Sequence, residues 1–411
     1  MSAASALRSR SVLLISAALL GVGLRLGFGL GYWIDRPLTR DELEYFSLAR
    51  SLAAGDGFVY DETMRAGSFE PFGRAPGYPA FLALAGGGRE VVSSVPARVK
   101  IAQAIVGGIG VLLVGLVATQ LAGPRGGIVA AWIAAVYPPL VWIPAYGFSE
   151  ALFWPLALAV AWTFDRALGP PSEGAFFAGA AGLLTGLGIL IRPALLLFLP
   201  MALVWLVVRR RLTAALLLAA GAIIVVGPWT VRNYLHHERF VLVASDGGVT
   251  FWTGNHPLAI GEGDMAANPA LKIANQELRA RYPGLNEEAM EPIYYREALA
   301  WIRAHPIQWL GLEARKIFYL IVPVGPSYTL HSRLYYVASV VSYGILAVLA
   351  VVGTVRAGTQ RGRTPGLWLL LASAVAVCLI FFPQERFRIP IIDPALVVAA
   401  GGIWSARRER S

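Results

Sequence analysis

The sequence predicts an all-α protein that crosses a membrane repeatedly. Its 411 residues are 56% hydrophobic and only 15% charged, which is far from the balance of soluble globular proteins. The mean hydropathy is +0.60, and apolar runs long enough to span a bilayer recur along the whole chain. Counting these runs gives about ten transmembrane helices.

Basic residues cluster between the apolar runs. The formal net charge is +10, and arginines concentrate at 209–211, 356–363 and 407–410. The positive-inside rule assigns such clusters to cytoplasmic loops. The charge is therefore read as a topology signal and argues against nucleic-acid binding. Cys378, the only cysteine, lies inside an apolar run, which excludes a disulfide within the chain and a Cys-based metal site.

With the arginine clusters inside, the order of the spans follows. The apolar stretch after Arg8 and Arg10 resembles a signal peptide but continues to about Trp33, so we interpret it as an uncleaved first span with its N-terminus inside. Gly123–Gly127 is predicted to form an inside turn. The predicted spans are residues 11–33, 97–121, 127–144, 149–167, 174–191, 194–208, 212–230, 334–355, 366–383 and 389–405.

Residues 306–322 are apolar but do not fit as a span. Glu313, Arg315 and Lys316 lie in the middle of this segment, and each would cost about 2.5–3.5 kcal/mol at the bilayer centre. Its apolar side chains recur on one face. We therefore predict an interfacial or re-entrant helix on the outer face.

This topology divides the chain into three parts. Residues 1–230 form an N-terminal membrane core that includes the first outer loop, 34–96. Residues 231–330 are predicted to form a small non-cytoplasmic domain, and residues 331–411 supply the C-terminal helices.

The first outer loop brings two carboxylates to the end of the first span. Thr39 followed by Glu42 fits a capping box, so a helix is expected to start near Arg40 and to end at Gly55. Its apolar stripe predicts an interfacial helix that lies along the membrane surface. Asp41 lies in the first turn, where the helix dipole favours an acid. The two residues are therefore read either as helix-capping acids or as catalytic carboxylates.

The outer face collects further polar groups, which suggests a cavity for an anionic, membrane-bound substrate. Several of these residues could also have a purely structural role. The arginines could reach lipid phosphates, Glu150 could be capped by Ser149, and His256 could be a loop residue. The remaining candidate site residues are Arg74, Tyr78, Glu150, Arg192, Asn255, His256, Lys316, Glu385, Arg386 and Arg388.

Several motifs occur in one order: TRDELEY, GDGF, RAPGYPAF, PAYGFSE, ILIRPALL, GPWTVRNY, TGNHP and ERFRIPIIDPAL. The ordered set resembles bacterial glycosyltransferase family 39, which has a type C fold and is similar to protein O-mannosyltransferases and lipid A aminoarabinose transferases. The resemblance implies a sugar donor carried on a polyprenyl phosphate, transfer on the non-cytoplasmic face, and inversion at the anomeric carbon. It also places the acid pair at Asp41–Glu42, with Asp41 as base, and the cation of the first loop at Arg74.

The chemistry of such a transfer fits these residues. A sugar on a lipid phosphate already has a good leaving group, so the site needs a base and cations that stabilise the departing phosphate. The candidate phosphate-binding residues are Arg74, Arg192, Lys316, Arg386 and Arg388. Tyr78, Glu150, Asn255, His256 and Glu385 are expected to line the substrate cavity.

The sequence also allows expectations about the cofactor, the acceptor and the location of the protein. No cofactor is certain, and a divalent metal is left open, with Asp41, Glu42, Asp246, Asp264 and His256 as the available ligands. The small outer domain leaves the acceptor open among lipid, glycan and protein. The expected partners are a polyprenyl-phosphate-linked sugar and membrane lipid, in a multi-pass protein of the plasma (inner) membrane.

Two other functions stay open. A lipid or lipid-linked sugar transporter or flippase would share the outer charges, but it should carry polar residues on both sides of the midplane. A lipid-linked polysaccharide polymerase or ligase would share the topology, but would usually need a larger outer loop. The one-sided set of polar groups favours the glycosyltransferase.

Overall fold

The computed structural model describes residues 3–65, 73–263, 265–327, 332–358 and 364–405. Regular structure in these ranges is helical throughout, as the sequence predicts. Asp264, Arg361, Arg363 and the C-terminal arginines lie outside the described residues. The helices are α1 Ala3–Leu26, α2 Arg40–Ala54, α3 Glu62–Arg65, α4 Gly77–Leu84, α5 Ala97–Val136, α6 Pro138–Trp142, α7 Glu150–Ala167, α8 Pro171–Ile191, α9 Phe198–Val208, α10 Leu212–His237, α11 Gly247–Gly254, α12 Pro269–Ala280, α13 Glu287–Ala304, α14 Pro306–Ile321, α15 Arg333–Ala357, α16 Pro365–Ile380, α17 Glu385–Arg388 and α18 Ile392–Gly401.

Five of the described helices are long and apolar enough to cross a membrane: α1 with the π-helical turn that follows it, α5, α8, α10 and α15. Shorter apolar helices lie at Pro193–Val208, Pro365–Ile380 and Ile392–Trp404. Together with α7, and with α5 counted twice, these segments correspond to the ten predicted spans. The helical membrane fold is confirmed.

A kink divides α5 into two helices. Gly123 has φ 77° and ψ −178°, and Pro124 follows it. A side chain at this φ would be strained, and proline lacks the N–H needed to continue the helical ladder, so the pair reverses the chain cheaply. The turn predicted here is confirmed at Gly123, and its cytoplasmic location stays a prediction.

The bundle is held by two buried apolar clusters. In one, α1 and α18 pack on α5 around Trp154. Gly110 permits this contact, because a Cβ there would lie 2.1 Å from the Trp154 ring. In the other, α7 and α10 pack on α8, and Phe46 and Tyr78 from the segment between α1 and α5 join them.

The segment after α10 has its own small core. Trp252, Leu271, Met290 and Tyr294 are each at most 3% exposed and pack α11, α12 and α13 together. Next along the chain, α14 exposes Ile307 and Leu310, 82% and 59% accessible, and buries Lys316. An exposed apolar face on a short helix fits the predicted interfacial position.

Candidate active site

Helix α2 begins as the capping box predicts. Oε2 of Glu42 accepts hydrogen bonds from the Thr39 amide at 2.7 Å and from its hydroxyl at 2.9 Å. Oε1 accepts from the Gly147 amide at 2.7 Å. Gly55 ends the helix in the left-handed conformation. Both Glu42 oxygens are therefore used in fixing α2 to the segment before α7.

Asp41 lies between two arginines from distant parts of the chain. Arg74 reaches one carboxylate oxygen at 2.7 Å, and Arg386 reaches the other at 2.6 Å. Burial acts to raise the pKa of Asp41, but the attraction of Arg74 and Arg386 outweighs it. The pKa of Asp41 is consequently held well below its ordinary value, and the group is ionised.

Arg74 is shared among several acids. Its Nε donates to Glu44 at 2.6 Å, and Asp246 lies 3.7 Å from its guanidinium. Burial raises the pKa of Glu44 even though Arg74 opposes this effect. Burial acts to lower the pKa of Arg74, but the surrounding acids outweigh it and hold that pKa well above the ordinary value. Arg74 also stacks over Tyr45 at 5.3 Å.

Glu150 is a second acid that lies between two arginines, as Asp41 does. Nε of Arg386 donates to Glu150, and Arg192 pairs with the same carboxylate at 2.7 Å. The Glu150 side chain is completely buried at the start of α7. Arg386 lies over the Phe148 ring at 4.0 Å, and Arg192 lies over the Phe387 ring at 4.9 Å. The rings support the guanidinium planes.

These contacts form one alternating row, which we call the carboxylate–arginine row. Its members come from α2, the segment before α4, the start of α7, the end of α8 and α17. In a low-dielectric setting the paired charges stabilise one another. In spatial order, the row consists of Glu44, Arg74, Asp41, Arg386, Glu150 and Arg192.

Two of the predicted phosphate-binding residues lie elsewhere. Lys316 is fully buried, pairs with Glu313 at 2.7 Å and donates to the Leu379 carbonyl at 2.8 Å, which ties α14 to α16. Arg388 pairs with Asp393 at 2.8 Å and lies 3.8 Å over the Tyr343 ring. In this structure both residues hold helices together.

Three predicted cavity residues form hydrogen bonds with distant parts of the chain. Tyr78 donates to Gln103 at 2.7 Å, the Asn255 amide donates to the Ile380 carbonyl at 2.8 Å, and Ser339 donates to Glu385 at 2.6 Å. Burial raises the pKa of Glu385 to about 7. Of the predicted cavity residues, only Glu150 belongs to the row.

His256 contacts residues of its own loop and of the helix before it. Its Nδ1 accepts from the Leu258 amide at 3.1 Å, and its ring lies 4.3 Å from the Trp252 ring. Burial lowers the pKa of His256 to about 4, so the ring is neutral at physiological pH.

Sequence reasoning passed over Glu44. It lies three residues after Asp41, which puts both carboxylates on the same face of α2. That spacing was available in the sequence, but the pairing of Glu44 with Arg74 across 30 residues was not.

The open question of a metal is tested by the same geometry. Both Asp41 oxygens face arginines, and Glu42 is occupied by amide and hydroxyl donors. Within the described ranges, no group of three or more His, Cys, Asp or Glu residues is placed to hold a metal ion. The described ligand set therefore does not fit a divalent metal.

Comparison with known proteins agrees with the fold. Residues 74–231 match the model of the dolichyl-phosphate-mannose-protein mannosyltransferase family. The archaeal oligosaccharyltransferase AglB from Archaeoglobus fulgidus aligns over 96% of this chain and 50% of its own, with 18% identity and a TM-score of 0.56. The apo form of the Archaeoglobus fulgidus oligosaccharyltransferase aligns over 96% and 50% of the two chains, with 15% identity and a TM-score of 0.50.

ArnT from Cupriavidus metallidurans is a weaker likeness, with 13% identity and a TM-score of 0.45 over 96% of this chain and 77% of that one. No curated protein gave a significant match. The chain spans about half the length of the oligosaccharyltransferases it matches. The fold is that of a helical membrane protein with the type C glycosyltransferase fold. The family-model match confirms the resemblance to glycosyltransferase family 39.

Proposed function

We propose that the protein is a membrane glycosyltransferase that moves a sugar from a polyprenyl-phosphate-linked donor to an acceptor on the non-cytoplasmic face. The family-model match and the type C fold support the general kind of reaction. The archaeal AglB forms a complex with an inhibitory peptide and a dolichol-phosphate, and the latter is a lipid phosphate of the expected donor class. The acceptor is a lipid, a glycan or a protein.

The observation that carries this proposal is the position of Asp41 between Arg74 and Arg386. One carboxylate and two arginines converge at one point, in loops that the topology prediction assigns to the outer side. A base next to phosphate-binding groups is the arrangement that displacement of a lipid phosphate requires. Arg192 and Glu150 extend the row and hold Arg386 in place.

The reaction is a single displacement. Asp41 accepts the proton of the acceptor hydroxyl while the hydroxyl oxygen bonds to the anomeric carbon. The bond from that carbon to the phosphate oxygen breaks, and the polyprenyl phosphate leaves with the electron pair. Attack opposite to the leaving phosphate inverts the anomeric carbon. Arg74 and Arg386 stabilise the charge that develops on the phosphate.

The two arginines also connect donor binding to basicity. Without substrate, both hold Asp41 and keep its pKa well below the ordinary range, so the carboxylate is a weak base. A donor phosphate competes for the same guanidinium groups. When it draws them away, the pKa of Asp41 rises and the base becomes effective only with donor bound.

Reconstitution of the purified protein tests the proposal. With polyprenyl-phosphate mannose as the donor and lipid, glycan and protein fractions of the envelope as acceptors, we expect donor-dependent release of polyprenyl phosphate and a glycosylated product. Movement of the donor lipid across proteoliposomes without transfer would favour the transporter. Absence of both would contradict the proposal.

A further inference from the structure

A separate cavity opens beside the carboxylate–arginine row. It has a volume of about 200 Å³ and lies where the end of the first span, the start of α2, the start of α5 and the segment before α7 meet. Glu42 lines it, whereas Asp41 and the arginines of the row do not. Sites for drug-sized ligands usually have about 300–1,000 Å³, so this one suits a single sugar or head group.

The cavity has an aromatic wall. Trp33 and Tyr146 both line it, and their ring centroids are 4.9 Å apart. Phe28 stacks behind Trp33 at 6.0 Å, and Phe148 stacks behind Tyr146 at 5.4 Å. Aromatic rings fixed in this way present a preformed apolar surface against which the C–H face of a sugar ring can pack.

Two cations lie on its other sides. The Lys100 side chain forms part of the buried floor and donates to the Gly29 carbonyl at 3.0 Å and the Trp33 carbonyl at 2.6 Å, which leaves it one further donor hydrogen. Arg36 is exposed at the mouth, stacks over Trp33 at 5.1 Å and forms no ion pair with a described residue. The carboxylate in the lining, Glu42, already accepts three hydrogen bonds; Asp35, next to Arg36, does not line the cavity.

We propose that this cavity is the acceptor subsite and that it takes an anionic saccharide, one that carries a phosphate or a carboxylate. The sugar ring packs on Trp33 and Tyr146, and the anionic group contacts Arg36 and the free hydrogen of Lys100. This inference rests on the proposed function for the word acceptor, whereas the ligand class rests on the lining alone.

The position of the cavity suits that role. Glu42 and Asp41 are consecutive residues of α2, so their Cα atoms are about 3.8 Å apart. Consecutive side chains of a helix do not face each other, so an acceptor that is held against Glu42 has to extend along the first turn of α2 to bring its hydroxyl to Asp41. The donor phosphate would occupy the arginines on the other side of Asp41. Each substrate then has its own cations, which avoids competition for Arg74 and Arg386.

Binding to the full-length protein in nanodiscs tests the inference. Polyprenyl phosphate is added to saturation to occupy the row, and affinities for mannose 6-phosphate, glucuronic acid and neutral mannose are measured by saturation-transfer NMR. We expect the two anionic probes to bind at least tenfold more tightly than mannose. The variants Arg36→Gln and Arg36→Glu should weaken anionic binding at least tenfold and leave affinity for polyprenyl phosphate unchanged.

The matched control is Arg98→Gln, since Arg98 lies at the start of the same helix as Lys100 but pairs with Glu90 outside the cavity. It should leave both affinities unchanged. Equal binding of mannose and the anionic probes, no binding of any probe, or no response to Arg36→Glu would overturn the inference. Loss of polyprenyl phosphate binding in the Arg36 variants would overturn it too, by assigning the cavity to the donor. If anionic binding persists but no transfer is found, the proposed function fails and the word acceptor with it, whereas the assignment of the cavity to an anionic saccharide stands.

Discussion

Arg74 shares its guanidinium group among three carboxylates and Arg386 shares its own between two, and this sharing leads to the first prediction. If the donor phosphate binds there, Arg74→Gln or Arg386→Gln removes a charge-assisted hydrogen bond worth about 1.5–3 kcal/mol. Affinity for polyprenyl phosphate should fall by about tenfold or more. Calorimetric titration of the purified protein measures this.

The control for that experiment is Arg50→Gln. Arg50 lies on the same helix as Asp41 and pairs with Asp61 at 2.5 Å, away from the row. It should bind the lipid phosphate as the parent does. Arg74→Lys keeps the charge but loses the planar fork, so an intermediate affinity is expected. Unchanged binding in an Arg74→Gln/Arg386→Gln protein that retains its fold would contradict the assignment.

A pH dependence follows from the release of Asp41 by the donor. In the free enzyme its pKa is far below neutral, so the acidic limb of kcat/KM should lie at very low pH. In the donor complex the pKa rises, and protonation then removes the base as pH falls, so the acidic limb of kcat should lie at higher pH. Coincident acidic limbs for kcat and kcat/KM would exclude this coupling.

The sequence alone predicted most residues of the candidate site, but not which of them form ion pairs. Asp41, Arg74, Glu150, Arg192 and Arg386 are all polar groups at the outer ends of predicted spans, and the structure brings them together. Lys316 and Arg388 have the same sequence signature but pair within the helix packing. The sequence does not specify which cation meets which acid, since the Arg386–Asp41 pair joins residues 345 positions apart.

Among the helices, α5 shows how a local signal predicts a long-range feature. Gly123 has positive φ, and no other atom would lie within 4 Å of an added Cβ. Gly123→Ala should therefore destabilise the protein through backbone strain alone, by about 1 kcal/mol. A lower melting temperature in detergent is the expected result.

Gly179→Ala is the matched control for the kink. Gly179 also has open space around it, but it lies within the regular helix α8 and lacks positive φ. Alanine there should be neutral or slightly stabilising. Equal melting temperatures for the two variants would show that the φ at Gly123 imposes no cost.

Helix α2 was predictable in its ends but not in its burial. The Thr39–Glu42 box and Gly55 mark its limits, and both are confirmed. The sequence predicts a helix along the membrane surface, but it does not reveal that Glu42 and all residues from Glu44 to Ala49 are buried against the protein. Burial on that scale depends on α4 and on the segment before α7, which no local pattern in α2 reveals.

For the whole molecule, the orientation in the membrane is the main prediction. Arg209–Arg211 should be inside, and the loops at 40–90 and 231–330 should be outside, as the positive-inside pattern requires. Reporter fusions at Gly263 and Arg211 should report opposite sides of the membrane. A Gly263 fusion that is active only in the cytoplasm would invert the topology and remove the row from the proposed face.

For the molecule as a whole, composition predicts the membrane segments but not how they come together. Apolar runs and arginine clusters predicted ten segments, and the structure has a helix for each of them. The division into residues 1–230, 231–330 and 331–411 stays a prediction, although α11, α12 and α13 have a core of their own. The cavity between Trp33 and Tyr146 forms only where the first span, α2 and α5 meet, so it cannot be predicted from the sequence of any single segment.

The most direct test of the central claim is the transfer rate of Asp41→Asn, measured beside its melting temperature. Asparagine keeps the size and some capping capacity but cannot accept the proton, and loss of a general base typically costs about 10²–10⁴-fold in rate, or about 3–5 kcal/mol of barrier. Asp61→Asn, which alters an ion-paired aspartate of the same loop outside the row, should retain the parent rate. We expect Asp41→Asn to melt near the parent temperature with transfer reduced at least a hundredfold. A folded Asp41→Asn protein that transfers sugar at more than a tenth of the parent rate would contradict the assignment of Asp41 as the base.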